Sequence, residues 1–140
     1  MADDVVDRIE HDHREVEELF AEFNTSGDRS VALKICEELE IHTVAEETEV
    51  YPVLAQEAHE GDEIAEAEHE HEEAQVLIDR IRETSDDTAL PALVAELQRA
   101  VQHHMAEEET EILPRAREEL PAEELEELGE RFEEAKDEQQ

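Results

Sequence analysis

Four of the chain's eight histidines fall where a buried apolar residue is expected, and in two of those seams the next position, four residues on, is glutamate. On a helix, the spacing of His42 and Glu46, and of His104 and Glu108, leaves both side chains on one face, about 40° apart. The seams of His13 and His71 continue instead with Val16 and Ala74. An imidazole and a carboxylate so placed can bind one metal ion, or the carboxylate can bridge two. Such nitrogen and oxygen donors suit iron, manganese or zinc better than calcium or magnesium. Polar groups are costly to bury unpaired, and a bound metal satisfies them all.

Apolar residues recurring at three- and four-residue steps put these groups on helices. One seam runs Val6, Ile9, His13, Val16, Phe20, Phe23 and a second Ile35, Leu39, His42, Glu46, Glu49, Val53. A third runs Ile64, Ala67, His71, Ala74, Ile78, Ile81. The fourth runs Leu90, Leu97, Val101, His104, Glu108, Ile112, Arg115, its register slipping near the end. The expected helices cover about 3–23, 30–59, 62–83 and 90–118. Pro52 should kink the second helix or stop it early, and Pro114 is a second interior proline. Gly61 should close the second helix, with Asp62 capping the third. Pro121 should open a fifth, Ala122 to about Ala135, whose Leu125, Leu128 and Phe132 would pack on the bundle's end. Residues 136–140 should fray. The length fits one domain, with the four helices in 1–120 and a short helix and tail in 121–140.

The chain repeats itself. Glu10-His-Asp-His-Arg-Glu-Val resembles Glu68-His-Glu-His-Glu-Glu-Ala at an offset of 58. The segment from His42 to Pro52 matches that from His104 to Pro114 at six of eleven places, at an offset of 62. Two helical hairpins related by a pseudo-twofold follow, the second with the longer loop. Helical phase separates the remaining histidines. His69 lies roughly 200° from His71, His11 likewise from His13, and His103 about 100° from His104. These three and His59 are expected on the surface.

Abundant Ala, Leu and Glu, with three Gly and four Pro, read as all-α. The 45 acidic and 11 basic residues leave a net charge of −34. This argues against nucleic-acid and anionic-membrane partners. No segment is apolar enough to cross a bilayer, and the N-terminus lacks a signal-peptide pattern, so a cytoplasmic location is the expectation. A monomer is the default. Cys36, the only cysteine, reads as a buried small hydrophobe.

The order His, His-x-x-x-Glu, His, His-x-x-x-Glu, with Tyr51-Pro52 and Leu113-Pro114 trailing the pairs, resembles the hemerythrin HHE cation-binding family over residues 3–119. The resemblance implies an up-down four-helix bundle around an oxo- or hydroxo-bridged pair of iron ions. Its implied ligands are His13, His42, Glu46, His71, His104 and Glu108. Glu109 competes with Glu108, because family members place the last carboxylate four or five residues after the histidine. Oxygen-carrying hemerythrins have a further histidine four residues before the one matched by His71, and Ala67 stands there. Tyr51, the only tyrosine, could replace it, since phenolate is a good ligand for ferric iron. From an unbroken helix it would point away from His42; only a distorted turn before Pro52 would aim it inward. Glu49 and Glu111 are candidates to support the ligands from behind.

Such a centre would bind O2, peroxide or NO. Fewer histidines and more anionic ligands favour the ferric state over reversible O2 carriage. The expected role is in oxidative or nitrosative stress, with catalase-like turnover as one outcome. Iron storage, or redox or oxygen sensing without turnover, is the alternative. The charge also makes a prediction. So acidic a surface repels itself, and molar salt screens charges beyond about 3 Å. Melting temperature should therefore rise from low to molar KCl; an equal or lower value at high salt would contradict the reading.

Overall fold

The computed structural model describes residues 3–140, and among them the chain is helical throughout, without strands. Helix α1 spans Val5–Ser26 and α2 spans Arg29–Ala45. A π-helical turn, Glu46–Val50, joins α2 without a break to α3, Tyr51–Glu57. After a corner come α4, Gly61–Glu83, and α5, Leu90–Glu107. A second π turn, Glu108–Ile112, leads into α6, Leu113–Glu119, and α7 covers Ala122–Glu138. Four rods pack as an up-down bundle, α1 against α2, α2 against α4 and α4 against α5, with α5 returning to α1.

Local chemistry sets the ends of these rods. Asp4 caps α1, its carboxylate taking the N–H of Asp7 while Asp7 accepts from the N–H of Asp4. Gly27, at φ 68°, closes α1 in the left-handed region and donates to the Phe23 carbonyl at 2.7 Å. Residues 27–28 connect the first pair of helices and 84–89 the second. The second loop is four residues longer, the difference that the two repeat offsets require. The α3–α4 corner differs from expectation. His59, not Gly61, takes the left-handed conformation (φ 56°), and the Glu60 N–H bonds back to the Leu54 carbonyl at 3.2 Å. Gly61 is already helical, and Asp62 makes no cap.

Neither interior proline breaks its rod. Proline lacks an N–H and its ring crowds the carbonyl four residues back. The π turns just before Pro52 and Pro114 relieve both problems. Their signature bonds run from Tyr51 N–H to the Glu46 carbonyl and from Leu113 N–H to the Glu108 carbonyl. Within them, the Thr48 hydroxyl donates to the Val44 carbonyl at 2.8 Å and the Thr110 hydroxyl to that of Ala106 at 2.7 Å. Each widened turn absorbs one extra residue, so the buried seam steps by one. Val50 and Leu54 are buried where Glu49 and Val53 were expected, and Ala116 replaces Arg115.

The core divides at the level of the histidines. One cluster centres on Phe20, Phe23, Ile35, Ile81 and Leu97; the other on Tyr51, Leu54, Leu113, Leu128 and Phe132. The second includes α7, which lies along α1, α2 and the first π turn. Residues 136–138 remain helical, and Lys136 and Gln139 bond to the bundle, so the fraying expected of 136–140 is not seen there.

Gly129 permits the close approach of α7. A Cβ there would stand 2.9 Å from the Val5 backbone nitrogen and 3.0 Å from the Asp4 carbonyl carbon. Alanine would gain about 1 kcal/mol of helix propensity but force two backbones apart, at about 1–3 kcal/mol. We expect Gly129→Ala to destabilise the protein by roughly 1 kcal/mol in urea titration. A stabilised variant would contradict this close packing.

Candidate metal centre

The bundle brings His13 from α1, His42 from α2, His71 from α4 and His104 from α5 to one level, with Glu46 and Glu108 at the first position of each π turn. Both glutamates are 0% exposed. His13 Nε2 lies 3.0 Å from Glu108 Oε1, and His42 Nε2 lies 3.2 Å from Glu46 Oε2. Yet none of these four atoms has an aligned hydrogen-bond partner. Across the centre, His71 Nε2 is 3.3 Å from Glu46 Oε1 and 3.1 Å from His104 Nε2. Glu108 Oε2 is 3.5 Å from His104 Nε2. Two donor groups result, His13–His42–Glu46–Glu108 and Glu46–His71–His104, each compact enough to surround one ion. Glu46 reaches toward His42 and His71, and Glu108 toward His13 and His104.

Every imidazole is fixed from behind. The Nδ1 atom of His42 pairs with Asp12 at 2.8 Å and that of His104 with Glu70 at 2.8 Å. The Nδ1 atom of His71 pairs with Glu47 at 2.7 Å and that of His13 with Glu109 at 2.6 Å. A carboxylate on Nδ1 holds the proton there and leaves the Nε2 lone pair facing inward. The four pairs repeat with the pseudo-twofold: Asp12 corresponds to Glu70, and Glu47 to Glu109.

This arrangement places Glu108, and not Glu109, among the inward-facing atoms. Glu109 turns outward to His13 and to Arg14, 2.6 Å away. Glu49 and Glu111 make no hydrogen bond to any of the four histidines. The supporting groups are Asp12, Glu47, Glu70 and Glu109, each adjacent in sequence to a residue of the centre. That adjacency was the available signal. It was ambiguous, because each carboxylate reaches a histidine on another helix. His11, His59, His69 and His103 are exposed.

Tyr51 does point inward. An undistorted helix would put it about 180° from His42; one residue absorbed by the π turn brings this to roughly 80°. Its hydroxyl donates to Glu46 Oε1 at 3.2 Å and to Glu108 Oε2 at a shorter distance. It also lies 3.5 Å from Nε2 of both His71 and His104. Its ring stacks on His71, within the core that also buries Ala67.

The comparisons bear on this geometry. The hemerythrin HHE cation binding domain matches residues 4–116. The chain belongs to the hemerythrin HHE family. No curated protein and no solved structure matches it. The HHE match ends before α7, so that helix lies outside the matched domain.

Beside the histidines on the Phe20 side, a cavity of about 40 Å³ opens between Val16, Ala74, Ile78, Val101 and Met105. A water needs about 10–15 Å³, so small ligands fit. Cys36 plays no part: burial pushes its thiol up to about 11.

Crowding shifts the ionisations. Burial would lower His42, but the charge of Glu46 and the hydrogen bond that His42 donates to Asp12 raise it to about 10. Burial likewise opposes protonation of His104, which Glu108 carries up to about 9. Burial would raise Glu108, but the close approach of His104 and His13 holds it well below the carboxylate range. Burial and the two glutamates push the Tyr51 phenol well up. Without metal, protons balance the buried carboxylates. A histidine raised on folding adds stability below its unfolded value of 6.5 and loses that contribution as pH rises toward its folded value. The metal-free protein should therefore lose urea resistance from about pH 7 to 10. A flat or rising profile would show that His42 and His104 do not carry these protons.

Proposed function

We propose that the centre holds two iron ions and binds O2, peroxide or NO, in a response to oxidative or nitrosative stress. His13 and His42 would hold one ion, His71 and His104 the other, and Glu46 and Glu108 would span both. The observation that carries this reading is the set of inward-facing buried atoms without partners: His13 Nε2, His42 Nε2, Glu46 Oε2 and Glu108 Oε1. Unpaired buried polar atoms cost about 1–3 kcal/mol each, and cations discharge that cost together. When bound, such a pair supplies electron transfer to a small oxygen or nitrogen ligand.

The chain's own residues define what else happens there. Asp12, Glu47, Glu70 and Glu109 fix the imidazoles. The cavity walls are mostly apolar, and its volume limits the ligand to a few atoms. Tyr51 can donate its proton to Glu108 or, as phenolate, fill the position that Ala67 leaves without a histidine. These features favour peroxide breakdown over reversible O2 carriage. A second reading, iron storage or sensing without turnover, draws on the contact of α7 with the His42 side of the centre.

Oxygen release from hydrogen peroxide by iron-loaded protein separates the two. Many O2 molecules per chain, with a visible band that peroxide perturbs and Tyr51→Phe alters, are expected for the catalytic reading. Release that stops at or below one per chain would leave the binding module.

A further inference from the structure

The two halves differ in how their supporting carboxylates are held. Asp12 and Glu70 do equivalent work, each holding the Nδ1 of a histidine with one oxygen. The other oxygen of Asp12 accepts from Lys136 Nζ at 2.7 Å. Lys136 is one of two lysines in a chain of net charge −34, and it is mostly buried. The other oxygen of Glu70 meets only the exposed His103, at 3.4 Å, with Glu107 close by. One support is thus clamped by a fixed cation, and its counterpart is not.

Helix α7 also touches the α2 turn carrying His42 directly, at two points. Phe132 packs edge-on against the His42 ring, with centroids 5.4 Å apart. Lys136 Nζ lies over Phe132, 5.3 Å from its centroid, and Glu133 lies 3.5 Å from the same Nζ. Gln139 donates to the Ile41 carbonyl at 3.1 Å. All four residues belong to α7 or its final turn, beyond the 4–116 match.

We propose that Lys136 is a positioning residue for the metal position built on His13 and His42. It holds Asp12 against His42 Nδ1, and so α7 sets the affinity of that position. The Nδ1 supports of the His71–His104 position are Glu47 and Glu70, neither of which bonds to α7. A buried carboxylate that loses its cation is left uncompensated. Asp12 then swings toward solvent, and His42 loses its fixed tautomer and orientation. Loss of such an outer contact typically costs about 10–100-fold in metal affinity. This inference rests on the two-metal reading.

The test is anaerobic titration of metal-free protein with Co(II), followed by its visible bands. We expect Lys136→Met to weaken one of two binding steps about tenfold or more while leaving the other within about twofold. Lys136→Arg should recover most of the loss, Asp12→Asn should weaken the same step, and Glu70→Gln the other. Circular dichroism monitors the fold; if Lys136→Met loses helix, Lys136→Gln, which keeps a donor, decides in its place. Two unchanged steps, or two equally weakened steps, would overturn the role of Lys136. Absence of Co(II) binding to the unmutated protein would instead overturn the metal reading beneath it.

Discussion

Each histidine of the centre is tied at Nδ1 to a carboxylate from a different helix, and the remaining structure follows from that constraint. With four Nδ1 atoms anchored outward, four Nε2 atoms must face one another across a space that two buried carboxylates also enter. Apolar packing alone would not select this arrangement, because burying these groups opposes folding until something pairs them. The anchors also join α1 to α2, α2 to α4, α4 to α5 and α5 to α1, so the ring of hydrogen bonds closes around the bundle. A candidate ligand set and a tertiary lock are therefore built from the same side chains.

The π turns are the second device. They accommodate Pro52 and Pro114, put Glu46 and Glu108 at the start of a widened turn, and rotate the residue before each proline. In the first half that residue is Tyr51, which enters the centre; in the second it is Leu113, which is buried in the core. One backbone irregularity, repeated by internal duplication, thus yields a polar contact on one side and an apolar one on the other. Helix α7 adds to the asymmetry by covering only the His42 side.

Much of this was legible in the sequence, because helical phase up to each ligand is regular. The seams placed His13, His42, Glu46, His71, His104 and Glu108 on buried faces, and the repeat offsets foretold the longer second loop. Legibility ended where the period changed. Beyond Glu46 and Glu108 a period of 3.6 residues assigns Glu49, Val53 and Arg115 to the seam, whereas the widened turns move it to Val50, Leu54 and Ala116. The inward aim of Tyr51 depended on the same distortion. Asp12, Glu47, Glu70 and Lys136 were hidden for another reason. Their roles depend on which helices are neighbours and on the path of α7, and in a chain with 45 acidic residues no single carboxylate stands out.

The most direct test of the central claim is iron per chain, measured by elemental analysis after anaerobic ferrous reconstitution and removal of unbound metal. The account predicts about two irons per chain, held by the facing helices of the bundle. A chain that retains no iron after reconstitution would contradict it, because the inward-facing imidazoles and carboxylates would then have no cation to pair them.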